Sequence, residues 1–118
     1  MKVNRIEFIE KDRIEKEIKK VVKKEKKFIE NFEVFKKSIL IEDNVYLKVR
    51  ENNSFKIIKG SGCDSKIYWK AYLRDSKYAR MIRVIFFIKD GILFIIEIYH
   101  KNNQTECTKK LLKQYCEF

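Results

Sequence analysis

The chain has 118 residues, 45% of them hydrophobic and 14% aromatic, which is material for one domain (residues 1–118) with its own core. Twenty-eight Lys and Arg against 17 Asp and Glu leave a formal charge of +11, a surplus that draws a small domain to polyanions because each cation set near a phosphate can release a condensed counterion. The longest apolar run, Ile92 to Ile96, is too short to span a bilayer, and the N-terminal MKVNRIEFIEKDR has no apolar signal-peptide core, so a membrane span and a secretory leader are both excluded as expectations.

In chain order, KVNRIEFIE alternates and reads as a first strand. KDRIEKEIKKVVKK changes period: Ile14, Ile18, Val21 and Val22 fall at i, i+4, i+7 and i+8, one stripe of an amphipathic helix. A second helix is expected over FIENFEVFKKSIL, with Ile29, Phe32, Phe35 and Ile39 as its apolar stripe. The polar Lys24 to Lys27 stretch is the expected turn between the two. From Val45 the period is two again, with Val45, Leu47 and Val49 on one side of a strand and Asn52-Asn53-Ser54 as a turn. FKII is a short strand running into a loop with Gly60 and Gly62, a spacing that reads as a turn far more readily than as a phosphate cradle.

The next stretch, KIYWKAYLRD, carries the strongest pattern. Ile67, Trp69, Ala71 and Leu73 alternate with Lys66, Tyr68, Lys70, Tyr72 and Arg74, so one face is core and the other is a row of cations and phenols. RMIRVIFFIKD and ILFIIEIYHK are apolar on both faces, as central strands covered on both sides are, and Asp90-Gly91 between them is a hairpin signal. TKKLLKQYCEF closes the chain as a short helix with Thr108 as a candidate N-cap. The expected fold is α+β: an N-terminal strand, a helical hairpin, a three- to four-stranded antiparallel meander and a short C-terminal helix. The cysteines, Cys63, Cys107 and Cys116, form no CxxC or CxH pair. They read as free thiols in a reducing, cytoplasmic setting rather than as metal ligands, and no metal or other cofactor is expected.

This succession resembles the RelE/ParE superfamily of type II toxin–antitoxin toxins. The resemblance is carried by the lysine-rich hairpin ending in FEVFKK, by YWKAYLRD followed by IRVIFFIKDG, and by the apolar strand ending in IYHK. It implies a ribosome-dependent mRNA endoribonuclease that blocks translation, with the ribosome, mRNA and a cognate acidic antitoxin as partners. It also implies a reaction without metal, in which a ribose 2′-OH attacks the adjacent phosphate. Such a reaction needs a base, an acid and cations that stabilise charge at phosphorus. The candidate catalytic residues are Lys70, Arg83, His100 and Lys101; Lys66, Tyr68, Tyr72, Arg74 and Tyr99 are candidates for holding phosphates or stacking on bases. The chain departs from the family at Met81-Ile82, where glycine is usual, at Tyr72 and Asn102, where cations are common, and near the C-terminus, where Tyr115 is the one available tyrosine. Two alternatives stand beside this reading: a ParE-like inhibitor of DNA gyrase without nuclease activity, and a non-catalytic basic RNA-binding module.

Overall fold

The computed structural model describes residues 2–24, 26–45, 48, 55–59, 62–73, 82–100 and 107–118. Their elements run β1 (Arg5–Phe8), α1 (Lys11–Lys24), α2 (Phe28–Leu40), β2 (Phe55–Ile57), β3 (Trp69–Leu73), β4 (Ile82–Lys89), β5 (Ile92–His100) and α3 (Cys107–Gln114). The strands form one sheet in the order β1-β5-β4-β3-β2. Each hairpin step from β2 to β5 reverses direction, so those pairs are antiparallel, whereas β1 joins the far side of β5 in parallel. The α+β class matches the expectation. The sheet is five-stranded and mixed, because the α1–α2 hairpin carries the chain from one edge, β1, to the other, β2.

The hairpin covers one face of the sheet. Ile14 and Val21 of α1 are buried there, with Ile18 and Val22 packed at their margin, against Trp69, Ala71, Leu73, Ile82, Val84, Phe86, Leu93, Ile95 and Ile98. The α2 stripe is Phe28, Phe32, Phe35 and Ile39, a spacing of 4, 3 and 4, and Ile29 is exposed rather than buried as its apolar character suggested. A helix offers one stripe, and the larger ring at position 28 takes the inward place. Phe28, Phe32 and Phe35 stack in turn, with centroids 5.3 and 6.1 Å apart, and Phe35 meets Phe86 of β4 at 6.2 Å.

The opposite face is covered over part of its area by α3 and the segment after it. Tyr68, Ile85, Phe87, Phe94, Ile96, Leu112 and Tyr115 form this second core. The Tyr68 hydroxyl donates to the Leu112 carbonyl at 2.7 Å, and its ring meets Phe87 edge-on at 5.8 Å. A disulfide between Cys63 and Cys116 ties this layer to the loop after β2, so these two cysteines are not free thiols. Their separation of 53 residues hid the pairing from sequence. Other details also differ. Val45 and Lys48 are helical, with the Lys48 N–H bonded to the Asn44 carbonyl at 3.3 Å, so the expected strand does not begin at Val45; Leu47, Val49 and the 52–54 turn lie outside the described residues. Ile67 precedes β3 and is 51% exposed. Thr108 sits inside the first turn of α3 rather than capping it. Asp90 and Gly91 have φ of 53° and 75°, the left-handed pair a two-residue hairpin requires. Among the described residues no helix is long and apolar enough to cross a membrane.

One irregularity decides what faces where. Ile85 of β4 pairs with Glu97, but its neighbour Phe86 pairs with Ile95, so β5 carries one extra residue at Ile96, a β-bulge. Before the bulge, Leu93 and Ile95 face the helical hairpin. After it, Ile98 does, and the alternation has slipped by one. Tyr99 therefore joins the α3 side, and His100, paired with Ile82, turns to the hairpin side.

Candidate functional site

The part of the α3-side face not covered by α3 holds the polar row expected from KIYWKAYLRD. Lys70 pairs across to Lys56 of β2 and to Ile85 of β4; Tyr72 pairs with Arg83, and Arg83 with Tyr99. Residues paired across an antiparallel ladder share a face, so Lys56, Lys70, Tyr72, Arg83 and Tyr99 lie on one surface. Arg83 sits over the Tyr72 ring at 5.1 Å and Lys56 over the same ring at 5.7 Å. At a partly open site each such contact is worth about 0.5–1 kcal/mol, enough to hold the cations in place without neutralising them. Arg83 interrupts an apolar central strand, and Tyr72 is what makes that position tolerable: the ring covers the guanidinium and leaves its charge available.

Further along this face, Tyr99 is 5% exposed and its hydroxyl carries no hydrogen bond. Burial pushes that hydroxyl up to about 12, with Arg83 pulling the other way and Glu97 reinforcing. Glu97 is itself only 4% exposed. Past β5, the parallel pairing with β1 stops at Phe8 opposite Ile95, so main-chain groups of β5 beyond that point need other partners. Helix α1 supplies them. Arg13 Nη2 donates to the Ile96 carbonyl at 2.6 Å, and Glu17 Oε1 accepts from the Ile98 N–H at 3.3 Å. Arg13 in turn bridges Glu10 at 2.6 Å and Glu17 at 3.3 Å. Burial raises Glu17 to about 7, against the Ile98 hydrogen bond and the Arg13 charge, with Glu97 adding to the rise.

The other candidates are placed elsewhere. Tyr68 lies on the expected face but under α3, where burial pushes its hydroxyl up and its ring is closed to a base. Lys66 lies at the far end, in a separate recess of about 460 Å³. Its Nζ donates to the main-chain oxygens of Cys116 and of Phe118, the latter at 2.9 Å, and Lys89 donates to the same Phe118 oxygen at 2.7 Å. Those cations hold the C-terminal segment down. His100 is 5% exposed on the hairpin side of the sheet, away from Lys70 and Arg83. Arg74 and Lys101 lie outside the described residues. Two residues of the face, Lys56 and Glu97, and one at the open edge of β5, Glu17, are absent from the site residues expected from sequence. Lys56 was legible as an outward position of a short strand; Glu17 looked like one more charge on a solvated helix; Glu97 reached this face only through the bulge. No family model, curated protein or solved structure matches the chain.

Proposed function

We propose that the chain is an RNA-directed toxin of the RelE/ParE kind, a metal-independent endoribonuclease that engages mRNA on the ribosome through the Lys56–Lys70–Tyr72–Arg83 face. The observation that supports this reading is the cross-strand pairing of Tyr72 with Arg83, with Lys70 two residues before Tyr72 on the same face. Two cations flanking an aromatic ring suit a single-stranded nucleic acid: the cations meet phosphate oxygens, and the ring edge or face meets a splayed base, a stacking contact worth roughly 1–3 kcal/mol. In the cleavage step, Lys70 and Arg83 stabilise the charge that builds on the phosphorane as the 2′ oxygen attacks. The formal charge of +11 also suits an acidic antitoxin that wraps this face in the resting state. A ribosomal target places the protein in the cytoplasm, where the Cys63–Cys116 bridge would be open to reduction.

Binding without cleavage is the second reading, favoured by the turn of His100 to the opposite face. Primer extension on a reporter mRNA in a reconstituted translation reaction separates the two. New 5′ ends that need ribosomes, and that disappear in Lys70→Ala and Arg83→Ala, are expected. An uncut message with salt-dependent binding would leave the RNA-binding module, and growth arrest that survives both substitutions would point instead to a gyrase-directed toxin.

A further inference from the structure

We propose that Glu17, on the first helix, is the proton-accepting group that serves the basic sheet face, with Glu97 behind it as its positioning partner. The inference rests on the nuclease reading above and names a residue for the same site. With His100 facing the helical hairpin, no histidine serves this face, since His100 is the chain's one histidine. A proton acceptor must therefore come from another residue type, and the fold delivers a carboxylate to the margin of the face.

The delivery is geometric. The parallel strand β1 ends opposite Ile95, and α1 takes over the open edge of β5 from there, with Arg13 on the Ile96 carbonyl and Glu17 on the Ile98 N–H. That contact fixes Glu17 beside the bulge that turns Glu97 and Tyr99 toward the basic face. Ile98, whose N–H donates to Glu17, stands between Glu97 and Tyr99, and Tyr99 pairs across the ladder with Arg83, which pairs in turn with Tyr72. Tyr99 adds an independent sign of a ligand: its hydroxyl is buried in this run and makes no hydrogen bond, an arrangement that ordinarily carries a cost unless a ligand or its water completes it. Glu17 itself keeps 21% of its side chain open to solvent, whereas Glu97 is buried.

The chemistry fits a base. A carboxylate whose proton affinity has been raised to about 7 by burial is half ionised at neutral pH and holds an abstracted proton more tightly than an ordinary carboxylate does. In the step, the Glu17 carboxylate takes the ribose 2′ proton, the 2′ oxygen bonds to phosphorus, and the bond from phosphorus to the 5′ oxygen breaks. The 5′ oxygen takes a proton from water, and Glu17 returns its proton to solvent. The products are a 2′,3′-cyclic phosphate and a 5′ hydroxyl, with no redox change.

The test is the ribosome-dependent cleavage rate of the full chain on the reporter mRNA, measured from pH 5.5 to 8.5. In the wild type the rate should climb with an apparent midpoint near the Glu17 value of about 7. Glu17→Gln should lower it by roughly 100-fold or more while RNA affinity, read by filter binding, stays within about twofold. Glu17→Ala should recover part of its rate in added formate, which a merely structural loss would not. Thermal unfolding of each variant checks that it is folded. A wild type that cuts while Glu17→Gln cuts equally well with the same pH profile would overturn this inference and leave the nuclease reading standing. A wild type that never cuts would overturn that reading, and this one with it.

Discussion

Replacing Cys63 and Cys116 together by alanine removes a cross-link that closes a loop of 53 residues between the segment after β2 and the end of α3. By loop-closure entropy, a cross-link of that span limits the unfolded chain by about 4 kcal/mol, a large part of the roughly 5–15 kcal/mol that holds a domain of this size. The folded state loses little in return, because the Ser65 hydroxyl still donates to the Cys116 carbonyl at 3.1 Å and Lys66 still reaches both main-chain oxygens of that turn. The loss should therefore appear as a lower urea midpoint and a fall in Tm of about 15 °C, with a larger m-value because the uncross-linked unfolded chain exposes more surface. Urea unfolding of the oxidised wild type, the reduced wild type and the double variant is the assay, paired with alkylation of the unfolded, unreduced protein. Alkylation should label Cys107 alone. Labelling of all three cysteines, or midpoints that do not move on reduction, would refute the pairing and the reasoning built on its span.

Glu17 makes a second prediction, about stability and pH. Its folded value of about 7 lies above the ordinary 4.5, so the fold binds that proton more tightly than the unfolded chain does. The contribution is fully present below about 4.5 and is lost as pH rises through about 7, a change on the order of 3 kcal/mol. Glu17→Gln should thus gain stability relative to wild type between pH 5 and pH 8, as read from paired urea midpoints; a difference that stays constant with pH would contradict the buried carboxyl. Gly91→Ala should cost about 1–2 kcal/mol, because φ is 75° there and a Cβ would stand 2.8 Å from the Asn4 side-chain amide; thermal unfolding measures it, and an unchanged Tm would refute the turn geometry.

Much of this protein was legible residue by residue. The 3.6 period placed α1 over the residues it occupies, the alternation in KIYWKAYLRD put Lys70 and Tyr72 opposite Trp69 and Ala71, and Asp90-Gly91 announced its hairpin, because each depends on neighbours within a few positions. What could not be read were the relations between distant segments. The parallel seat of β1 beside β5, the Cys63–Cys116 bridge and the cover that α3 lays on Tyr68 arise from where elements dock, which local pattern does not encode. The site shows the difference most sharply. In an unbroken strand, His100 would share a face with Phe94 and Ile96, while Glu97 and Tyr99 would turn to the helices. One extra residue at Ile96 reverses both assignments, since side chains alternate with a period of two and a slip of one position exchanges the faces for everything beyond it. The sequence determined that a basic, aromatic strand face exists; the pairing of β4 with β5 decided that Glu97 rather than His100 turns to it, and the fit of α1 along the open edge set Glu17 at the Ile98 N–H.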